Sequence, residues 1–205
     1  MLDRLRARLE TYLESVGKWF ARLQTSPTAW TMVGLVISII ASVAYSTSGY
    51  AGQALGGVLV LAAGWFDIVD GAVARVTGRS SKRGAFLDST LDRVAEVAVF
   101  GGIMLGGYSP PILVLLAICF SLLVSYTRAK GDALGVPLSG VGIGERSERL
   151  LILAILSILG LAFWGVLLVL IVALYTFLER TLRAVTSLKG AASGAQLAKQ
   201  QATSA

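Results

Sequence analysis

Histidine is absent from the 205-residue chain, and cysteine occurs once, at Cys119. A lone thiol excludes an intrachain disulfide and a Cys-x-x-Cys pair, and the lack of histidine removes a common zinc ligand. Acid–base chemistry must then come from carboxylates, lysine, tyrosine or water. Charged residues are also scarce, at 15%, whereas 55% of residues are hydrophobic and the mean hydropathy is +0.74. This composition is that of an integral membrane protein.

Three tracts lack charge altogether, at 23–66, 97–127 and 150–178. Each is long enough for a helical hairpin or a long span, because one crossing needs ~20 apolar residues. We therefore expect an all-α integral membrane protein whose membrane domain covers residues 23–187. Its six predicted transmembrane helices lie at about 27–45, 52–77, 84–105, 112–133, 144–161 and 163–187.

The 18 Lys and Arg residues are confined to four regions: the N-terminal segment, residues 75–93, residues 128–149 and the chain after residue 179. The intervening connections, near residues 46–54, 106–111 and 159–164, carry no charge. The positive-inside rule then predicts that both termini and the polar helix ends face the cytoplasm, so the number of spans is even. The net charge of +6 indicates this topology and attraction to anionic membrane lipid. It does not indicate nucleic-acid binding.

The two ends of the chain differ from the membrane domain. Residues 3–22 alternate charged residues with a hydrophobic side, so residues 1–22 are predicted to form a juxtamembrane amphipathic helix on the cytoplasmic leaflet. A helix packed on the domain is the alternative. The hydrophobic side comprises Leu5, Leu9, Leu13, Val16, Trp19 and Phe20. No cleavable signal peptide is expected here. Residues 188–205 are rich in Ala, Gly, Ser, Gln and Lys, and are predicted to be a disordered tail.

Four aspartates interrupt the apolar sequence at Asp67, Asp70, Asp88 and Asp92. If both segments are helical, each pair lies on one stripe of its helix, and the two stripes can face each other. Each Asp inside a membrane costs ~2.5–3.5 kcal/mol on insertion scales unless it is paired or metal-bound. A purely structural network would need Arg75 and Arg93 to neutralise four carboxylates. We favour an oxygen cage for Mg²⁺ or Mn²⁺.

The stretch from Asp67 to Asp92, DIVDGAVARVTGRSSKRGAFLDSTLD, resembles the CDP-alcohol phosphotransferase family. It matches every fixed position of that family's signature, Asp-x2-Asp-Gly-x2-Ala-Arg-x8-Gly-x3-Asp-x3-Asp. The resemblance implies a membrane enzyme that transfers the substituted phosphate group of a CDP-lipid to an alcohol and releases CMP. It also implies a two-metal site, with Asp67, Asp70 and Asp88 as the principal ligands. Asp92 is then a further ligand and the catalytic base, although the residues alone do not separate the ligand from the base.

The resemblance also predicts the donor site. The CDP-lipid is expected near the start of the first span, and at the glycine, arginine and basic loop of the signature. Gly71 leaves room for close approach to the backbone, and Arg75 supplies a fixed positive charge. The predicted CDP-lipid-binding residues are Thr28, Thr31, Gly71, Arg75, Ser81 and Gly84. Without the resemblance, Thr28 and Thr31 would be ordinary residues of a helix start.

A second polar cluster predicts the acceptor. Its four cations, Arg128, Lys130, Arg146 and Arg149, lie at the ends of the fourth and fifth spans. They suit an acceptor that carries its own phosphate, although topology and pairing with nearby acids would also explain them. The segments SYTRAKGDA and GIGERSERL resemble the branch of the family that makes phosphatidylinositol phosphate or its archaeal ether-lipid counterpart. The implied substrates are inositol phosphate and CDP-archaeol or CDP-diacylglycerol.

Other functions stay open at this point. Glycerol 3-phosphate is the alternative acceptor, and an ion-coupled transporter is the alternative class, since buried acids also serve ion pathways. Small size, the lack of repeat symmetry and the position of the acids at one membrane edge argue against a transporter. A structural adaptor would have no use for four aspartates. A homodimer is the expected assembly, although no residue pattern determines it.

Overall fold

The computed structural model describes the backbone of residues 13–203 and the side chains of residues 13–189. This part of the chain contains seven α-helices and no strand, as the sequence predicts. The first, α1, spans 13–21. The others are α2 (Pro27–Ser46), α3 (Tyr50–Thr77), α4 (Lys82–Leu105), α5 (Pro111–Ala133), α6 (Arg146–Ile158) and α7 (Ala162–Thr203).

Local sequence signals define several helix boundaries. Ser26 caps α2 by accepting the Ala29 N–H at 3.3 Å, and Pro27 occupies the first turn, where no backbone donor is needed. Gly78 ends α3 in the left-handed conformation at φ 63°, which a glycine adopts without a steric penalty. Ser81 then caps α4. The signature therefore lies on two helices, α3 and α4, that a short turn at residues 78–81 connects.

Within the described part of the chain, four segments are long and apolar enough to cross a membrane: α2, α3, α5 and residues 162–189 of α7. The other two helices of the domain differ from them. The first half of α4 carries the signature charges, and α6 has 13 residues, a length of about 20 Å against a hydrocarbon core of about 30 Å. Helix α6 ends at Ile158, three residues before the predicted end of the fifth span.

The apolar core joins the helices at the end of the bundle away from the aspartates. Helix α2 packs on α3 and α4, α6 packs on α3 and α7, and α5 packs on α7. Core members include Tyr45, Phe100 and Leu153, all fully buried. Glycines allow the closest approaches: a Cβ at Gly57 would lie 2.7 Å from the Ala154 carbonyl oxygen. This packing brings the polar ends of α3, α4, α5 and α6 to one end of the bundle.

Helix α1 packs on the domain next to the signature. A Cβ at Gly17 would lie 2.8 Å from the Ala72 carbonyl oxygen, so the two helices touch there. Phe20 makes an edge-to-face contact with Trp30 of α2, whereas Trp19 is mostly exposed. These contacts match the alternative of a packed helix, and the interfacial location stays a prediction. Leu5 and Leu9 lie outside the described residues.

The C-terminal end differs from the prediction. Helix α7 continues without interruption to Thr203, so residues 188–203 are helical rather than a disordered tail. The lack of hydrophobic periodicity suggested disorder. Alanine, glutamine and lysine, which are common in this segment, nevertheless have high intrinsic helix propensity, and a preceding helix removes the cost of nucleation.

Candidate active site

Three signature carboxylates form one cluster. Asp67 and Asp70 lie in the C-terminal part of α3, and Asp88 lies in the first half of α4. Each contributes an oxygen, and these oxygens all lie within 4.8 Å of one another. Asp88 Oδ1 is buried and has no hydrogen-bond partner among the described residues. An all-carboxylate set with an unpaired buried oxygen fits a hard divalent cation such as Mg²⁺ or Mn²⁺.

Asp92 lies beside this cluster, one helical turn after Asp88. Its Oδ1 accepts a 2.7 Å charge-assisted contact from Arg146 Nη1, and its Oδ2 lies 3.5 Å from Arg93 Nη1. The same Arg146 nitrogen lies 3.4 Å from Asp67 Oδ1. Arg146 therefore joins the carboxylates of α3 to those of α4. Of the four aspartates, Asp92 has the closest arginine contact, which separates it from the other three.

Of the two predicted donor residues in α2, Thr31 contacts the carboxylate cluster, whereas Thr28 lies at the start of the helix. Thr31 Oγ1 donates to Asp70 Oδ2 at 2.7 Å, which orients a cluster carboxylate directly. Thr28 lies in the first turn of α2 and is half-buried. In α3, a Cβ at Gly71 would lie 3.6 Å from the nearest atom, Arg75 Nη1, which is an ordinary van der Waals contact. The end of the Arg75 side chain therefore lies next to the backbone that follows Asp70.

The remaining donor residues lie on the outer side of the signature. Arg75 is exposed and lines a cavity of about 660 Å³ between α1 and α3, together with Lys18. Ser81 is the N-cap of α4 and accepts the Gly84 N–H at 3.0 Å. That contact gives Ser81 and Gly84 a structural reason to be there, independent of any ligand. Arg75 is thus the residue of this group that is available to a nucleotide.

A polar cavity of about 570 Å³ adjoins the carboxylates. Its walls come from α3, α4, α5, α6, α7 and the segment before α6. The acids that line it are Asp67, Asp88, Asp92, Asp132 and Glu145. The cations that line it are Arg93, Arg128, Arg146, Arg149 and Arg180. The structure therefore brings together three of the four cations that the sequence assigns to the acceptor, and it places them beside the aspartates.

Arg180 is the functional candidate that sequence reasoning missed. It lies in α7 and is 2% exposed, with Nε bound to the Val141 carbonyl at 2.9 Å and Nη1 to the Val124 carbonyl at 3.1 Å. Its Nη2 is buried without a hydrogen-bond partner among the described residues. The sequence assigns it only to the basic region after residue 179. Its position next to Glu179, at the end of the charge-free tract 150–178, is the signal that could have identified it.

Arg149 is placed differently from the expectation. It is 1% exposed, and its Nε and Nη2 donate to both oxygens of Glu96, at 2.8 to 3.2 Å. Its Nη1 donates to the Gly144 carbonyl at 2.6 Å. Because Glu96 neutralises it, Arg149 is a positioning residue that fixes α6 on α4. These contacts do not support a direct role in acceptor binding.

Lys130 is the one predicted acceptor cation that does not line this cavity. It is exposed in the last turn of α5. A positive charge in the last turn is favourable with the helix dipole. Arg128, two residues earlier, does line the cavity. The two cations at the end of α5 therefore have different environments.

The family comparison agrees with this geometry. Residues 24–187 match the model of the CDP-alcohol phosphatidyltransferase family, which is most of the chain. The chain belongs to this family. It is therefore a phosphotransferase, and the alternative of an ion-coupled transporter is set aside.

Individual relatives extend the comparison. The chain is 36% identical over 184 residues to archaetidylinositol phosphate synthase of Pyrococcus horikoshii, covering 90% of this chain and 96% of that protein. It is 38% identical over 154 residues to phosphatidylinositol phosphate synthase of Streptomyces avermitilis, covering 72% of this chain and 62% of that protein. Its fold is similar to the crystal structure of Mycobacterium tuberculosis phosphatidylinositol phosphate synthase in complex with manganese and citrate. There the TM-score is 0.73 at 24% identity, over 85% of this chain and 89% of that one.

Proposed function

We propose that the protein transfers the substituted phosphate group of a CDP-lipid to a hydroxyl of inositol phosphate and releases CMP, as a step of phospholipid biosynthesis. The observation that carries this proposal is the shared cavity: Asp67, Asp88 and Asp92 line the same space as Arg128 and Arg180. The aspartates can hold a metal and take a proton, and the arginines can bind a phosphate in the same cavity. The names of the archaeal and the bacterial relative both include inositol phosphate.

The four aspartates have different roles in the proposed reaction. Asp67, Asp70 and Asp88 would hold the divalent cations of a two-metal site, and Asp92 would be a further ligand. The chemistry that Mg²⁺ or Mn²⁺ supplies in such a cage is neutralisation of the donor pyrophosphate and of the departing CMP. Thr31 keeps the Asp70 carboxylate oriented through its 2.7 Å hydrogen bond. Arg75 and the backbone at Gly71 offer a positive charge and close approach to the nucleotide.

Asp92 is the proposed base. It accepts the proton of the acceptor hydroxyl, whose oxygen attacks the phosphorus that carries the lipid. A new phosphate ester bond forms, and the pyrophosphate bond to CMP breaks. Arg146, 2.7 Å from Asp92 Oδ1, stabilises the carboxylate before the transfer. A base is required for transfer but not for docking the donor, so the two steps are separable.

The acceptor phosphate is proposed to bind Arg128 and Arg180, with Arg146 between them and the aspartates. Charge-assisted hydrogen bonds from arginine are the strong contacts for phosphate oxygens. An acceptor that carries a phosphate gains from this wall, whereas free inositol does not. Glycerol 3-phosphate is the alternative acceptor. CDP-archaeol and CDP-diacylglycerol are both candidate donors, because one relative is archaeal and the other bacterial.

The decisive experiment measures CMP release by the purified protein. Inositol phosphate with CDP-archaeol or CDP-diacylglycerol should support release, EDTA should abolish it, and Mg²⁺ or Mn²⁺ should restore it. Full activity in excess EDTA would contradict the metal site. If free inositol or glycerol 3-phosphate outcompetes inositol phosphate, the acceptor is wrong and only the family reaction remains.

The membrane arrangement is part of the same proposal. Six helices, α2 to α7, would span the cell membrane with both termini and the active site on the cytoplasmic side. Reporters at residues 23 and 190 should then be cytoplasmic and a reporter at 49 external. Opposite locations for the first two would overturn the even number of spans. A homodimer is also proposed, and the mass of the protein in detergent would test it.

A further inference from the structure

One carboxylate lies inside the basic wall of the cavity. Glu145 Oε1 is 3.6 Å from Arg128 Nη1 of α5 and 3.6 Å from Arg180 Nη2 of α7. The same oxygen accepts the Gly140 N–H at 3.3 Å. A single oxygen therefore lies between two guanidinium groups from different helices. It also connects them to the glycine-rich loop at residues 134–145.

The two arginines are incompletely satisfied by this oxygen. Charge-assisted N–H···O bonds are usually 2.7–2.9 Å long, and both distances here are longer. Arg180 cannot move closer, because its Nε and Nη1 are already bound to backbone carbonyls. Its Nη2 stays buried without a hydrogen-bond partner among the described residues. A group with several oxygens, such as a phosphate, matches two fixed guanidinium groups better than one carboxylate oxygen does.

The Glu145 carboxylate can move away from Arg128 and Arg180 while the start of α6 stays helical. The backbone N–H of Glu145 is held by the Glu148 carboxylate at 2.9 Å, in a capping box at the start of α6. Its side chain is 38% exposed, so rotation toward solvent is open to it. The Glu148 contact holds the main chain at this position. The other contact of the box runs from the Glu148 backbone N–H to the Glu145 side chain, so displacement of the carboxylate exchanges that contact as well. Its neighbour Arg146, which contacts Asp92, would stay in place during that exchange.

We propose that Glu145 is an internal counter-ion that the phosphate of the acceptor displaces from Arg128 and Arg180. The inference rests on the proposed function. It makes Glu145 a specificity determinant: a neutral alcohol cannot replace the carboxylate on the two arginines, whereas a phosphate monoester can. Displacement also breaks the contact to Gly140, so phosphate binding loosens the glycine-rich loop.

The first test measures binding of inorganic phosphate to the purified full chain by calorimetry, without turnover. Glu145→Gln removes the competing charge and should bind phosphate about three- to tenfold more tightly, because the two long contacts of a half-exposed carboxylate contribute modestly. The KM for inositol phosphate should fall in parallel. Glu179→Gln is the matched control, since it makes the same change in a surface pair with Arg183, and it should behave like the unaltered protein. Equal or weaker phosphate binding by Glu145→Gln would overturn the proposal.

The second test needs no variant and covers the case in which Glu145→Gln does not fold. Phosphate should increase hydrogen exchange at the Gly140 amide of the unaltered protein, because its acceptor is displaced. Unchanged or slower exchange at that amide, or no phosphate binding at all, would overturn the proposal. An acceptor other than inositol phosphate would show in the CMP assay alone. Failure of the proposed function and failure of this inference are therefore distinguishable.

Discussion

Arg146 and Arg149 lie one turn apart at the start of α6, in the same Glu-Arg-Ser-Glu-Arg segment, yet their environments differ. Arg149 is 1% exposed and has a bidentate partner in Glu96. Arg146 is 18% exposed, is shared between Asp92 and Asp67, and its buried Nε has no hydrogen-bond partner among the described residues. An arginine whose nitrogens all have hydrogen-bond partners stabilises the fold. An arginine with an unpaired nitrogen at a cavity can bind a substrate.

The largest effect is expected when the acid partner of Arg146 is removed. Asp92→Asn should lower turnover by roughly 10²- to 10⁴-fold, because the hydroxyl then lacks a base, while binding of CDP-lipid is retained. The measurements are CMP release and equilibrium binding of the donor. Glu179→Gln, which changes a carboxylate to an amide outside the cavity, should keep full activity. Near-normal turnover of Asp92→Asn would assign the base to another residue.

Removing Arg149 should affect folding rather than chemistry. Arg149→Ala leaves Glu96 buried and unpaired, which costs about 3–5 kcal/mol of unfolding free energy. Thermal unfolding in detergent would measure it. The control, Arg183→Ala, breaks an exposed pair with Glu179 and should cost less than about 1 kcal/mol. The double variant Arg149→Met with Glu96→Leu should recover much of the loss. A stable Arg149→Ala with a raised KM for inositol phosphate would return Arg149 to the acceptor site.

Removing Arg146 should affect catalysis more than folding. Arg146→Ala is expected to lower kcat/KM for inositol phosphate by roughly ten- to a hundredfold, since one charge-assisted bond contributes ~1.5–3 kcal/mol. The melting temperature should change much less than in Arg149→Ala. Arg146→Lys should recover only part of the activity, because lysine lacks the planar fork. The contrast between the two arginines fails if both alanine variants lose the same stability.

The smallest expected effect concerns the two cations at the end of α5. Lys130→Ala should change the KM for inositol phosphate by less than about twofold, since an exposed charge at a helix end contributes little. Arg128→Ala should raise it about tenfold, through the loss of one charged contact. Steady-state CMP release at varied acceptor concentration compares the two. A larger effect of Lys130→Ala would place that lysine in the acceptor site.

Much of this molecule could be predicted from the sequence because the signals are local. Apolar length and the charge-free tracts predicted the helices of the membrane domain and most of their bounds. The spacing of the aspartates predicted a carboxylate cluster, and Asp67, Asp70 and Asp88 do meet within 4.8 Å. Helical periodicity determines which face of a helix a residue occupies, so these features needed no knowledge of distant contacts.

The partners of the charged residues were decided by tertiary structure. Glu96 and Arg149 are 53 positions apart, and Thr31 and Asp70 are 39 apart. No periodicity relates residues on separate helices. Arg149 has a partner for each of its nitrogens, whereas Arg180 Nη2 has no hydrogen-bond partner among the described residues. The difference depends on which carbonyls and carboxylates the packed helices bring within hydrogen-bond distance. In a membrane-buried site a charge must find such partners, and only the packing of helices from distant parts of the chain determines which partners it meets.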